Sequence, residues 1–121
     1  MNHADGAAVV LVDTEGTIRY LSQAMADLIG HSPEEVLGHS LDLLVPPDYR
    51  QRHWAGFRSV MASGTAALEG MAASIPVLCA DGEVRRWPGR FTVVRDPRGK
   101  PVGAAATLAP PEENDPPWFE L

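Results

Sequence analysis

The first hydrophobic feature of the chain is an unbroken apolar run at residues 7–12, AAVVLV. A run this short, bounded by polar turn residues, reads as a strand buried on both faces. Asp13-Thr14-Glu15-Gly16 supplies turn chemistry, and the β-branched and aromatic stretch at 17–21 reads as a hairpin partner. Ser22 is placed to cap a helix whose apolar positions Met25, Leu28 and Ile29 recur at helical spacing, and Gly30 stops it. Ser32-Pro33-Glu34-Glu35 opens a second short helix, with proline first and two acids near the positive end of the dipole. It ends at Gly38, and residues 40–44 add a turn before Pro46-Pro47. The longest helix is predicted at 48–62, ended by Gly64. At about 100° per residue, Tyr49, His53, Gly56, Phe57 and Val60 share one arc of it.

In the second half of the chain the period changes to two. A strand is predicted near 70–79, where Pro76 points to a sheet edge. Ala80-Asp81-Gly82 is a hairpin signal. In the strand at 83–94, Trp87, Phe91 and Val93 fall on one face and Arg86, Arg90 and Thr92 on the other. Asp96-Pro97-Arg98-Gly99 turns the chain into a last strand at 101–108. Two strands, short helices, a longer helix and a three-strand meander predict an α+β fold. Its form is a five-stranded antiparallel sheet with helices on one face. The domain spans 7–108, between a loose N-terminus at 1–6 and a Pro/acidic tail at 109–121. Trp118-Phe119 in that tail reads either as a docking motif or as a loose end.

Composition narrows the function. A chain of 121 residues with 45% hydrophobic content makes one folded domain. The net charge of −6 argues against a nucleic-acid partner. Cys79 is the single cysteine, so no internal disulfide forms. His3, His31, His39 and His53 are spaced unlike a metal pair. No apolar run is long enough for a membrane span and no signal-peptide pattern is visible, so a cytoplasmic location is expected. No nucleophile set, phosphate loop or paired acids stand out, so the chain does not read as an enzyme.

Several stretches together resemble a PAS sensory domain. They are VVLVDTEGTIRYLSQAMADLIGHSPEEVLGHSL, LVPPDYRQRHWAGF, LCADGEVRRW and VRDPRGKPVGAAATL. Asp13-x-x-Gly16-x-Ile18, Ile29-Gly30 and Glu34-Glu35-x-Leu37-Gly38 match that family's spacings, and Ser22 stands where the family often has Asn. The resemblance implies a sheet in the order 2-1-5-4-3 with a ligand cavity between sheet and helices. The first strand is then central and the 70–79 strand an edge. Pro88 falls in an interior strand, where a bulge is expected.

The resemblance also implies a function class: a small-molecule, light or redox sensor, or a partner-binding module. Small PAS domains commonly pair, so a homodimer and a signalling partner protein are expected, and the alternative is a ligand-free interaction module. His53, with Tyr49 and Phe57 one turn either side, is the cofactor candidate. The stretch Tyr49-Arg50-Gln51-Arg52-His53 resembles the segment that carries the proximal histidine of heme PAS domains. A neutral imidazole there either ligates heme iron, with Nδ1 held by a carbonyl, or is a bonded core histidine. Heme sensors of this kind carry a distal arginine on the next strand, and residues 69–74 hold none.

Trp87 and Phe91 are candidates to line the cavity or to form a dimer surface, weighed against plain core packing, and Ala105 is a further cavity candidate. The small residues Gly103, Ala104, Ala105 and Ala106 make room for a ligand or for close helix packing. Arg85, Arg86 and Arg90 form a basic patch that reads as a solvated face. Flavin-binding relatives of the family use a helical cysteine. Cys79 instead closes a strand and reads as a small apolar filler.

Overall fold

The computed structural model describes residues 7–65, 69–109 and 119–120. The N-terminal stretch 1–6, Trp118 and most of the acidic tail lie outside the described residues. Strands β1 (Ala8–Asp13) and β2 (Ile18–Leu21) form the first hairpin. Helices α1 (Gln23–Ile29) and α2 (Pro33–Val36) follow, then 3-10 turns at Leu41–Leu43 and Pro47–Tyr49, then α3 (Arg50–Ser63). Strands β3 (Ala73–Leu78), β4 (Val84–Arg95) and β5 (Pro101–Leu108) make the meander, and β6 (Phe119–Glu120) is a two-residue addition.

The sheet order is β2-β1-β5-β4-β3-β6, and the first five strands pair antiparallel throughout. The apolar run of β1 is therefore flanked by β2 and β5, as expected for a strand without a polar face. β3 is the outermost of the five, which suits Pro76, and β6 lies parallel beside its start.

Directly paired residues share a sheet face, so the register assigns the faces. Ala8, Val10 and Val12 stand opposite Leu108, Ala106 and Ala104. Gly89, Phe91 and Val93 continue that row, and Trp87 stands opposite Ile75. This face carries the core, covered by Met25, Ala26 and Ile29 of α1 and Val36 of α2.

The caps follow the sequence. Ser22 Oγ accepts the Met25 N–H at 3.1 Å, accepts the Val9 N–H at 2.9 Å and donates to the Ala7 carbonyl at 2.8 Å. Ser32 and Glu35 form a reciprocal capping box. The helix predicted at 48–62 begins at Arg50 instead, because Pro47–Tyr49 winds as a 3-10 turn. It ends at Gly64 in a left-handed conformation, φ 79°.

Pro88 makes no bulge. Pairing runs regularly from Ala73 opposite Gly89 to Leu78 opposite Val84, and the irregularity lies at Val94/Arg95. β4 passes from one partner to the other at Gly89, so its first half pairs with β3 and its second with β5. Pro88 thus meets β5 only where that strand ends. Its carbonyl accepts the Ala109 N–H at 2.9 Å, and its missing donor costs the ladder one bond. A side chain on Gly89 would strike the Thr107 carbonyl and stand 2.7 Å from Ile75, so the handover needs glycine.

Candidate functional site

Helix α3 is fastened at its N-terminal end by side chains rather than by a cap. Arg50 Nη2 donates to the Asp42 carbonyl at 3.0 Å and Nε to the Val45 carbonyl at 3.1 Å. The Trp54 indole N–H donates to the Asp42 carboxylate at 2.6 Å. The Trp54 ring then lies over Gly16 of the β1–β2 turn, where a side chain would strike it. Gly16 also has φ 78°, so glycine is required there twice over.

Among the sheet strands, α3 lies chiefly against β5. Its inward arc is half-buried His53, Trp54, Phe57, Val60 and Met61. Gly56, expected on this arc, is exposed, and Trp54 takes that side instead. No residue of α3 is fully buried.

His53 stands within a ring cluster. It meets Trp54 edge-on at 4.6 Å and Phe57 in a stack at 6.2 Å, and Trp54 meets Phe57 edge-on at 5.4 Å. Phe57 also packs on the core. His53 Nδ1 is buried and has no hydrogen-bond partner among the described residues, so the carbonyl expected to orient the ring is not found there. Burial pushes the His53 pKa below its usual value, and the Asp42 carboxylate opposes this in part. The imidazole is therefore neutral near pH 7, the form that ligates metals.

The other candidates separate. Tyr49 leaves the ring cluster for a cationic one. Its hydroxyl accepts from Arg86 at 2.7 Å, and Arg52 lies 4.9 Å from its ring centre. Trp87 is buried in the core, and Phe91 packs against it beside Ala106. Ala104 and Ala106 face the helices. Ala105 alternates to the other face, between Leu11 and Thr92. Gly103 is set by strand approach, since a side chain there would strike the Val12 carbonyl.

The basic patch also divides. Arg85 pairs with Asp81 at 2.8 Å, Arg86 reaches Ser74 and Tyr49, and Arg90 donates to the Gly70 carbonyl. Cys79 is buried at the end of β3, and Ala80 beside it donates to the Ile29 carbonyl of α1. Among the described residues no three His, Cys, Asp or Glu side chains converge on a metal site, and no helix is long and apolar enough to cross a membrane.

Trp54, Asp42 and Arg50 were not legible as site residues. The pattern put Trp54 one position from the arc, and the signal that marks it is Gly16, whose missing side chain is the seat of its ring.

Comparison with known proteins agrees with this fold. The chain is 32% identical over 73 residues, 60% of its length, to the oxygen sensor protein DosP of Escherichia coli, and it spans 9% of that protein. A PAS domain from Colwellia psychrerythraea superposes with a TM-score of 0.71 at 19% identity, over 86% of this chain and 85% of that one. A light-oxygen-voltage domain studied with a flavin analogue gives 0.62 at 22% identity, over 92% of this chain and 81% of that one. The family model of the PAS fold matches residues 2–114, and the chain belongs to that family.

Proposed function

We propose that this PAS domain is a sensory module. It holds a small ligand or cofactor between α3 and β5 and signals through protein contacts. The carrying observation is the orphaned Nδ1 of His53, buried on an aromatic arc that faces a strand of small residues. An unpaired buried polar atom costs about 1–3 kcal/mol, and a ligand that hydrogen-bonds Nδ1 relieves the cost, whereas an iron held at Nε2 leaves it in place. Phe57 and Trp54 offer flat apolar walls, and Ala104 and Ala106 leave little side-chain volume opposite.

The residues fit heme as the cofactor. His53, neutral and half-buried, would hold it, with Phe57 as a neighbouring apolar side chain. Heme, when bound, supplies an iron that takes diatomic gases, and similarity to an oxygen sensor supports that choice. The likeness to the light-oxygen-voltage domain studied with a flavin analogue makes flavin the second probe.

Signalling needs two states with different ligand affinity. Moving the population from mostly one to mostly the other takes about 5.5 kcal/mol of differential binding. The output surface we assign is the outer sheet face, where Leu11 stands opposite Tyr20 and Tyr20 is 49% exposed. A second copy or a signalling protein is its partner. That exposed face is also what favours the ligand-free reading, a module for dimerisation or partner binding alone.

Absorption titration tests the proposal. Hemin added to the purified protein should give a shifted Soret band that His53→Ala loses. The same titration with flavin mononucleotide covers the second probe. No spectral change with either, and no small molecule released on denaturation of the native protein, overturns the sensor reading and leaves the interaction module.

A further inference from the structure

The edge of β3 is only partly closed by its own neighbours. The Leu78 N–H is taken by the Leu44 carbonyl at 2.9 Å. Pro76 has no N–H to offer. Ala73 and Ser74 remain for a further strand, and β6 fills that place in parallel, Phe119 beside Ala73 and Glu120 beside Ser74.

Positive charge gathers at the same spot. Arg86 Nη1 donates to the Ser74 carbonyl at 3.1 Å while Nη2 donates to the Tyr49 hydroxyl at 2.7 Å. Arg52 and Arg86 lie 4.9 and 5.8 Å from the Tyr49 ring centre, so one tyrosine holds two guanidinium groups beside the edge.

The sequence after β5 is complementary. Residues 110–121 carry Glu112, Glu113, Asp115 and Glu120 and no lysine or arginine. Four prolines, at 110, 111, 116 and 117, cannot donate to a ladder. Trp118, Phe119 and Glu120 are the first residues beyond them able to pair.

We infer that the β3 edge at Ala73 and Ser74 is a docking edge for an extended acidic segment, and that the chain's own 119–120 segment is its resident occupant. Main-chain bonds supply the strand addition, and the two arginines supply the preference for acid. A resident tethered in the same chain acts at an effective concentration near millimolar. A partner's acidic strand therefore gains the edge only when the resident leaves.

The test uses the full chain. A fluorescent peptide with the sequence of residues 110–121 is titrated against wild-type protein and against Phe119→Pro/Glu120→Lys, which frees the edge. Binding to the variant should be at least tenfold tighter than to wild type, and adding Arg86→Gln should remove most of that gain. Equal binding to both proteins, or none to either, overturns the inference. A second measurement uses Ser74→Cys with Glu120→Cys in a Cys79→Ala background. A disulfide within one chain supports the resident occupant. A disulfide joining two chains, or none, overturns it.

Discussion

Glu69 accepts the main-chain N–H of Val93 at 2.8 Å and in doing so takes the place of a strand. β3 covers β4 only as far as Ala73 opposite Gly89. Beyond that point the Phe91 carbonyl accepts the Gly70 N–H at 2.9 Å, and the Glu69 carboxylate receives Val93. The Thr92 hydroxyl at 3.1 Å and Arg95 at 3.0 Å use the remaining lone pairs. Arg95 also reaches the Gly64 carbonyl at 2.8 Å, so the exit of α3 is pinned to the same strand.

This arrangement predicts an acid-dependent stability. Hydrogen bonds from Arg95 and then from Val93 hold the Glu69 carboxyl at about 2, against an ordinary 4.5. A depressed carboxylate stabilises the fold fully above the ordinary value and loses that contribution as pH falls toward the folded one. Glu69→Gln should therefore lower Tm at pH 7, and the gap to wild type should close between pH 4.5 and about 2. Thermal melts across that range check it. A gap that stays constant with pH contradicts the assignment.

Ser22 joins α1 to β1 through one hydroxyl, which accepts from Met25 and Val9 and donates to Ala7. Ser22→Ala loses an N-cap and leaves the Val9 N–H without its acceptor. The cap is worth about 1 kcal/mol, and a stranded buried donor about 1–3 more. Urea denaturation should show a total loss of about 2–4 kcal/mol with an unchanged m-value. A loss below about 1 kcal/mol would mean that water replaces the hydroxyl.

What the sequence made legible was what neighbours along the chain decide. The AAVVLV run announced a strand flanked on both sides, Pro76 an outer strand, and Gly30 and Gly64 the helix ends, because each effect is local. Pro88 misled, because its cost depends on where β5 stops, 20 residues later at Leu108. Trp54 on Gly16 and Glu69 on Val93 were hidden for the same reason. Each joins segments distant in sequence, and in the second a side chain does the work of main chain, which no periodicity records.

The seat of Trp54 on Gly16 makes a steric prediction. Gly16→Ala adds a methyl where the indole lies and holds it at φ 78°. Overpacking costs about 1–3 kcal/mol, and the left-handed backbone about 1–2 kcal/mol for a residue with a Cβ. In a Trp54→Ala background the steric part vanishes and the backbone part stays. A double-mutant cycle should therefore return a coupling of about 1 kcal/mol or more between the two sites. A coupling near zero would show that the ring swings away at no cost.

His53 gives the sharpest prediction, because its two roles in the fold oppose each other. As a ring it packs on Trp54 and Phe57, and as a polar group it leaves Nδ1 buried and unpaired. Phenylalanine keeps the first and removes the second. In ligand-free protein His53→Phe should raise stability by about 1 kcal/mol at pH 7, whereas a bonded core histidine would make the same change destabilising.

The pH dependence has a definite sign. Burial lowers the His53 pKa from 6.5 in the fold, while the unfolded chain keeps the ordinary value. Below 6.5 the unfolded state binds the proton first, so the wild type loses stability as pH falls toward the lowered folded value. His53→Phe has no such loss. The advantage of the variant should therefore widen as pH falls below 6.5, read by urea denaturation at each pH. The same substitution should abolish any Soret shift with hemin, so stability gained and ligand lost together would identify His53 as a residue kept for binding rather than for the fold.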